Sequence, residues 1–194
     1  MRTIGKATCL IVLMTILTGI VYPLLITGLA QMFFSDKANG SLILFRGRIV
    51  GSALIGQKFV SERYFWPRPS AIDYNPLPSG GSNLGPTSTD LFAKVSERRK
   101  SMEGANPESG TVPSDLLFAS GSGLDPHITL EAARYQIERV IRARGLDIEQ
   151  KNRLIALVEK HIEPPVLGIL GQPRVNVLRL NLALDSVALG GVNR

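Results

Sequence analysis

His127 and Asp125 stand two residues apart, and such a pair could act as acid and base. Ser120-Gly121-Ser122-Gly123 precedes a helix start, where free backbone amides favour an anion. Ser79-Gly80-Gly81-Ser82-Asn83 has the composition of a phosphate cradle, although no strand directly precedes it and no Lys follows it. Arg68, between Pro67 and Pro69, would be held stiffly, as a structural ion pair or a docking contact requires. Each of these features has a simpler reading as a tight turn, a loop-to-helix junction or a local hydrogen bond. No residue is assigned a catalytic role. The chain also lacks a Gly-x-x-x-x-Gly-Lys-Ser/Thr phosphate loop, a Gly-x-Ser-x-Gly elbow, a His-Glu-x-x-His helix and an Asp-Lys-Thr-Gly-Thr phosphorylation signature.

Composition narrows the field further. With 2 His and 1 Cys, neither a His-based metal cluster nor a thiolate site or disulfide framework is expected. The net charge of +6 comes partly from Arg2 and Lys6, and the remaining Lys and Arg are scattered. Nucleic acid is therefore not an expected partner.

The elements that must position these residues begin with an uncharged run, residues 7–34. It exceeds the roughly 20 apolar residues that a membrane helix needs. Residues 1–6 form a short N-terminus, 7–34 a transmembrane helix and 35–194 one soluble domain. The alternative is a secreted solute-binding domain released by cleavage after Ala30, the end of Gly28-Leu29-Ala30. The apolar stretch is longer than a typical signal core, which favours retention. Arg2 and Lys6 before the segment nearly balance Lys37, Arg46 and Arg48 after it, so charge leaves the orientation open. Thr15, Gly19, Pro23 and Thr27 recur every fourth residue, a stripe suited to packing against another membrane helix.

Beyond the helix the pattern is that of an α+β domain: strands, two to three helices and a long Pro/Gly-rich loop. Residues 42–45 and 49–55 read as a hairpin across Arg46-Gly47-Arg48. Residues 66–123 are rich in Pro, Gly, Ser and Asn, interrupted by a helix over 89–102 with Leu91, Phe92, Val95 and Met102 on one face. Trp66, Tyr74, Leu77 and Leu84 are too many apolar anchors for a plain linker, so the loop is expected to lie on the core or on a partner. Thr129 can cap a helix running to Arg144, ended by Gly145. Asp147 and Gln150 open a second helix with Leu154, Leu157, Val158 and Ile162 as its stripe. Residues 174–184 alternate apolar and polar, and predict a strand bent near Val177.

The ordered series VGSALIGQ (50–57), YFWPRPS (64–70), YNP (74–76), SGGSNL (79–84), ASGSGLDPHI (119–128) and PRVNVLRLNLAL (173–184), together with YPLL (22–25), closely resembles the C subunit of the bacterial Kdp potassium-transporting ATPase. The resemblance runs end to end. One departure is Leu130, where the family usually has Pro, and Thr129 can still cap that helix.

The resemblance implies a non-catalytic subunit of an ATP-driven potassium uptake pump in the bacterial inner membrane. Its implied partners are a channel-like potassium-selecting subunit, a P-type ATPase subunit and a small membrane peptide. The implied topology places the N-terminus in the cytoplasm and the domain after Phe34 outside. No tightly bound cofactor is implied, and ATP is expected to be reached only through the ATPase subunit. The family is described as a catalytic chaperone that raises ATP affinity, with a helix glutamine, matched here by Gln136, at a nucleotide contact. Read from the helix pattern alone, Gln136 is an exposed residue. Tyr64, Trp66, Arg68, Tyr74 and Asn75 are the expected docking residues, on a rigid loop that assembles the complex.

Overall fold

The computed structural model describes residues 2–190, which divide into two units between Leu42 and Ile43. The first is helical: α1 (Arg2–Ile16), a π-turn (Leu17–Val21) and α2 (Tyr22–Ala38). This 37-residue stretch reaches a mean hydropathy of 2.5, with none of that window buried, and is long and apolar enough to cross a membrane. The π-turn has a local cause. Pro23 has no N–H to offer the carbonyl one turn back, and just before it the Tyr22 N–H reaches the Leu17 carbonyl, five residues away. The Thr15 hydroxyl donates to the Ile11 carbonyl at 2.8 Å, so it serves its own helix. At Phe34 the backbone leaves helical geometry (φ −140°, ψ 40°), where the expected 7–34 span ends.

In the second unit, β1 (Leu42–Phe45) and β2 (Arg48–Ser52) form a hairpin. Its two turn residues, Arg46 and Gly47, both take positive φ, the tight geometry that suits a twisted ribbon. The strand expected over 49–55 stops at Ser52, because Ala53 to Ile55 turn away. Helix α3 (Thr89–Ala105) is capped by Ser88, whose hydroxyl accepts from the Leu91 N–H. Val95 and Met102 pack on the core as expected, whereas Phe92 is exposed.

The core is a three-stranded antiparallel sheet with helices against it. Strand β3 (His127–Thr129), β4 (Ile162–Glu163) and β5 (Arg174–Asn176) lie in the order β3-β5-β4, with Ile128 and Ile162 both opposite Val175. Strands β3 and β4 are two or three residues long, too short for periodicity to announce them. Ile162 accordingly belongs to β4 and not to the preceding helix. Thr129 caps α4 (Leu130–Tyr135), which passes through an irregular Gln136 (φ −90°, ψ −8°) into α5 (Ile137–Arg144). Gly145, in the left-handed region, ends α5. A full capping box between Asp147 and Gln150 opens α6 (Ile148–Lys160).

The predicted strand over 174–184 is corrected. Only Arg174–Asn176 is extended, and Val177 begins α7 (Val177–Gly190). Asn176 switches the chain from one to the other: its side chain accepts from the Arg179 N–H at 3.1 Å, as an N-cap does. Val177, Leu180, Asn181 and Leu184 are all buried, a helical spacing that happens to coincide with alternation over this short run. Leu favours helices, and packing decided between the two periods. Phe65, Leu116, Ile128, Val140, Val175 and Leu180 form the centre of the core.

Candidate functional site: a loop clamped to the core

The long loop lies on its own domain, and the residues that hold it make a connected polar site. Phe65 is completely buried, and its backbone is read on both sides by one side chain. Its N–H donates to Asn181 Oδ1 at 2.9 Å and its carbonyl accepts from Asn181 Nδ2 at 3.0 Å. Gln136 does the same for Trp66: the Trp66 N–H donates to Oε1 at 2.7 Å, and Nε2 donates to the Trp66 carbonyl at 3.1 Å. Nε2 also donates to the Ala132 carbonyl at 3.1 Å. These two amides substitute for the ladder partners that a loop backbone buried against helices would otherwise lack.

Arg139 locks the pair together. It is fully buried, and Nη2 donates to Gln136 Oε1 at 2.6 Å. Nη1 donates to the carbonyls of Glu62 at 2.6 Å and Tyr64 at 3.0 Å. The guanidinium lies 3.9 Å from the centre of the Trp66 ring. Carbonyl dipoles and a ring face thus meet a charge that would otherwise be costly to bury. Burial brings its pKa down to about 10, so Arg139 stays charged at neutral pH. Next to it, Arg144 donates to the Arg63 carbonyl and to Asp185, and Asp185 also accepts from the Tyr64 hydroxyl at 2.9 Å.

Of the expected docking residues, Tyr64, Trp66, Arg68 and Tyr74 are half-buried and bonded within the domain, while Asn75 is exposed. The Tyr74 hydroxyl donates to the Arg68 carbonyl at 2.5 Å, and burial, reinforced by Asp73, pushes its pKa above the ordinary phenol value. The reading of Gln136 as an exposed helix residue is corrected: its exposure is 0%. It sits at the irregular step between α4 and α5, on the same face as Ala132 and Val140. Arg139, Asn181 and Asp185 were missed. The signal for the first was a polar pair, Gln136 and Arg139, three apart on an otherwise apolar stripe. Asn181 was hidden by the strand reading of residues 174–184, and Asp185 lies just beyond that segment.

The two Ser/Gly segments face each other and build a close backbone crossing. The Gly80 N–H donates to the Ser122 carbonyl at 3.0 Å. A Cβ on Gly81 would stand 2.9 Å from the Gly121 carbonyl oxygen, and one on Gly123 the same distance from that of Gly80. The glycines are there for close approach. Among the described residues, no group of three or more His, Cys, Asp or Glu is placed to hold a metal ion.

His127, on β3, belongs to a network of charges around a shallow cavity of about 360 Å³ lined also by Arg68, Asp115, Asp125 and Arg174. Its ring nitrogens lie 3.6 Å from Asp125 and 3.5 Å from Glu163. Asp125 accepts from the His127 N–H at 3.0 Å and from Arg68 at 3.1 Å. Burial would raise the Asp125 pKa, but the bonds from His127 and Arg68 outweigh it and hold the carboxyl below its usual range. A depressed carboxylate adds stability above its unfolded pKa of about 3.9, and that stability is lost as pH falls through the folded value. Asp125→Asn is therefore expected to cost about 1–2 kcal/mol at pH 7. The deficit shrinks towards pH 3. Denaturant titrations of both proteins at the two pH values measure it, and an equal deficit at both would remove the ionic account.

The chain thus joins a helix long and apolar enough to cross a membrane to a small α+β domain whose polar residues clamp its own surface loop. Comparison with known proteins names the family. Residues 4–186 match the family model described as KdpC, the c chain of K+-transporting ATPase. The chain is 53% identical over 188 residues to a potassium-transporting ATPase KdpC subunit of Rhodospirillum rubrum, covering 95% of this chain and 96% of the relative. It is 51% identical to that of Geobacter sulfurreducens (96% and 99% covered) and 49% to that of Leptospira interrogans (91% and 90%). The chain belongs to the KdpC family: it is an accessory subunit of the K+-transporting ATPase and not its catalytic subunit. A released solute-binding domain finds no support among these relatives.

Proposed function

We propose that this chain anchors in the membrane through residues 7–34, with its N-terminus in the cytoplasm and its domain outside, and stabilises the assembled potassium pump. The proposed neighbours are the channel-like potassium-selecting subunit, the P-type ATPase subunit and the small membrane peptide. The stripe Thr15, Gly19, Pro23 and Thr27 packs within the bilayer, and the loop carrying Tyr64, Trp66, Arg68, Tyr74 and Asn75 fixes the contact surface outside it. The observation that carries this reading is the clamp itself. Gln136, Arg139 and Asn181 hold residues 62–66 in one conformation, and a preformed surface loses less entropy on docking.

A subunit that binds only the assembled state stabilises that state by mass action, without doing chemistry. A rise in the ATP affinity of the ATPase subunit would then be exerted through subunit contacts. Gln136 acts on that contact indirectly, since its amide already bonds Trp66, Ala132 and Arg139.

Arg68→Ala and Trp66→Ala are expected to lower recovery of the complete complex after detergent extraction by several-fold. Protease added to right-side-out vesicles should cut the domain, and protease added to inverted vesicles should not. Unchanged stoichiometry in both variants would remove the docking role. Cleavage only from the cytoplasmic face would reverse the topology, and photolabelling of residues after Phe34 by an ATP analogue would restore a direct nucleotide contact.

A further inference from the structure

Residues 164–173, Pro-Pro-Val-Leu-Gly-Ile-Leu-Gly-Gln-Pro, contain no charge, and they project from the sheet as a closed tip. The pairing of β4 with β5 and the Glu163–Arg174 ion pair fix its base. Reciprocal backbone bonds between Val166 and Leu170, at 2.9 and 3.0 Å, close its end. Leu167 is 85% exposed and Ile169 81%. Leu167 also holds φ at 56°, a left-handed backbone that a branched side chain adopts only at a cost. An apolar side chain is thus both strained and presented to solvent, with proline on either side of the tip to keep it so. Neither feature helps this domain's own core.

Area and composition select the occupant. Four aliphatic side chains fall well short of the roughly 800 Å² per partner that a stable free-standing interface buries. The tip alone therefore does not hold a soluble partner or a free second copy. It suffices where the partner is already kept alongside by a membrane helix, which makes the encounter intramolecular in effect. Segments that enter lipid carry Trp or Tyr at the headgroup level, or Lys and Arg on a polar face. This tip has none of them, and Arg174 at its base is tied to Glu163.

We propose that the tip around Leu167 and Ile169 docks in an uncharged, aliphatic groove of another protein subunit held in the same membrane assembly. This rests on the assembly role proposed above. The test places a benzophenone amino acid at position 167 of the full chain, co-expressed with the other ATPase subunits and irradiated in membranes. The expected result is an adduct with another subunit, about ten-fold weaker when Ile169→Asp is added, with the Trp66 emission unchanged. An adduct with lipid only, or with a second copy of this chain only, would overturn the proposal. So would the absence of any adduct in a complex that co-purifies intact, and the assembly role would survive that result. A wild-type chain that fails to co-purify with any ATPase subunit would overturn both.

Discussion

Arg139→Ala is expected to destabilise the domain by about 3–5 kcal/mol, because it opens a cavity at a fully buried position and takes the donor from neutral acceptors around it. The carbonyls of Glu62 and Tyr64 lose their side-chain donor together, and Gln136 Oε1 keeps only the Trp66 N–H. A buried acceptor left without a partner costs roughly 1–3 kcal/mol, less where water can enter. The Trp66 ring also loses the cation 3.9 Å from its centre. Trp66 is the only tryptophan in the chain, so its fluorescence reports the site directly. The variant should show both an earlier denaturation midpoint and a red-shifted native emission. Arg139→Met is the informative companion: it keeps the stem's packing and removes the cost of burying a charge, so it should lose less. A variant as stable as the parent with unchanged emission would mean that the loop is held without Arg139.

Gln136→Leu is expected to cost about 2–4 kcal/mol, because it conserves volume while stranding the N–H and carbonyl of Trp66 and one donor of Arg139. Gln136→Glu retains the oxygen that serves Trp66 and Arg139 and adds a counter-charge to the guanidinium, while it loses the donor to the Trp66 and Ala132 carbonyls and sets an oxygen against them. Its cost should be smaller. This ordering separates a strut from a ligand contact. Measured by denaturation without any nucleotide, a residue whose role is to touch ATP would show no deficit in either variant. A residue that pins Trp66 shows the larger deficit for Leu and a red-shifted emission beside it.

Much of the scaffold was legible along the chain. The Thr129 cap, the Gly145 stop and the Asp147–Gln150 capping box lie where side-chain chemistry places them, since each acts over three or four residues. Pro23 reads along the chain only as part of the packing stripe, and the π-turn just before it is a local consequence of its missing N–H that the stripe does not express. Segment 174–184 was misread for an equally local reason. Leu178, Leu180, Leu182 and Leu184 satisfy the strand period, and the helical set Val177, Leu180 and Leu184 is visible only once burial is known. Strands β3 and β4 exist because β5 lies between them, a condition no short segment carries by itself.

The sequence by itself determined the class of protein. An uncharged run of 28 residues (7–34) is costly to place anywhere but in an apolar medium, and the ordered Pro/Gly motifs identify the family without reference to a fold. Only the tertiary structure decided what the loop residues do. The bonds that clamp the loop join Trp66 to Gln136 across 70 positions, Phe65 to Asn181 across 116 and Tyr64 to Asp185 across 121. Periodicity and capping describe neighbours along a chain. A glutamine that solvent would accept as readily as a core becomes a buried strut only when a distant backbone N–H and carbonyl arrive at its amide, and the packing of the helices against the sheet brings them there.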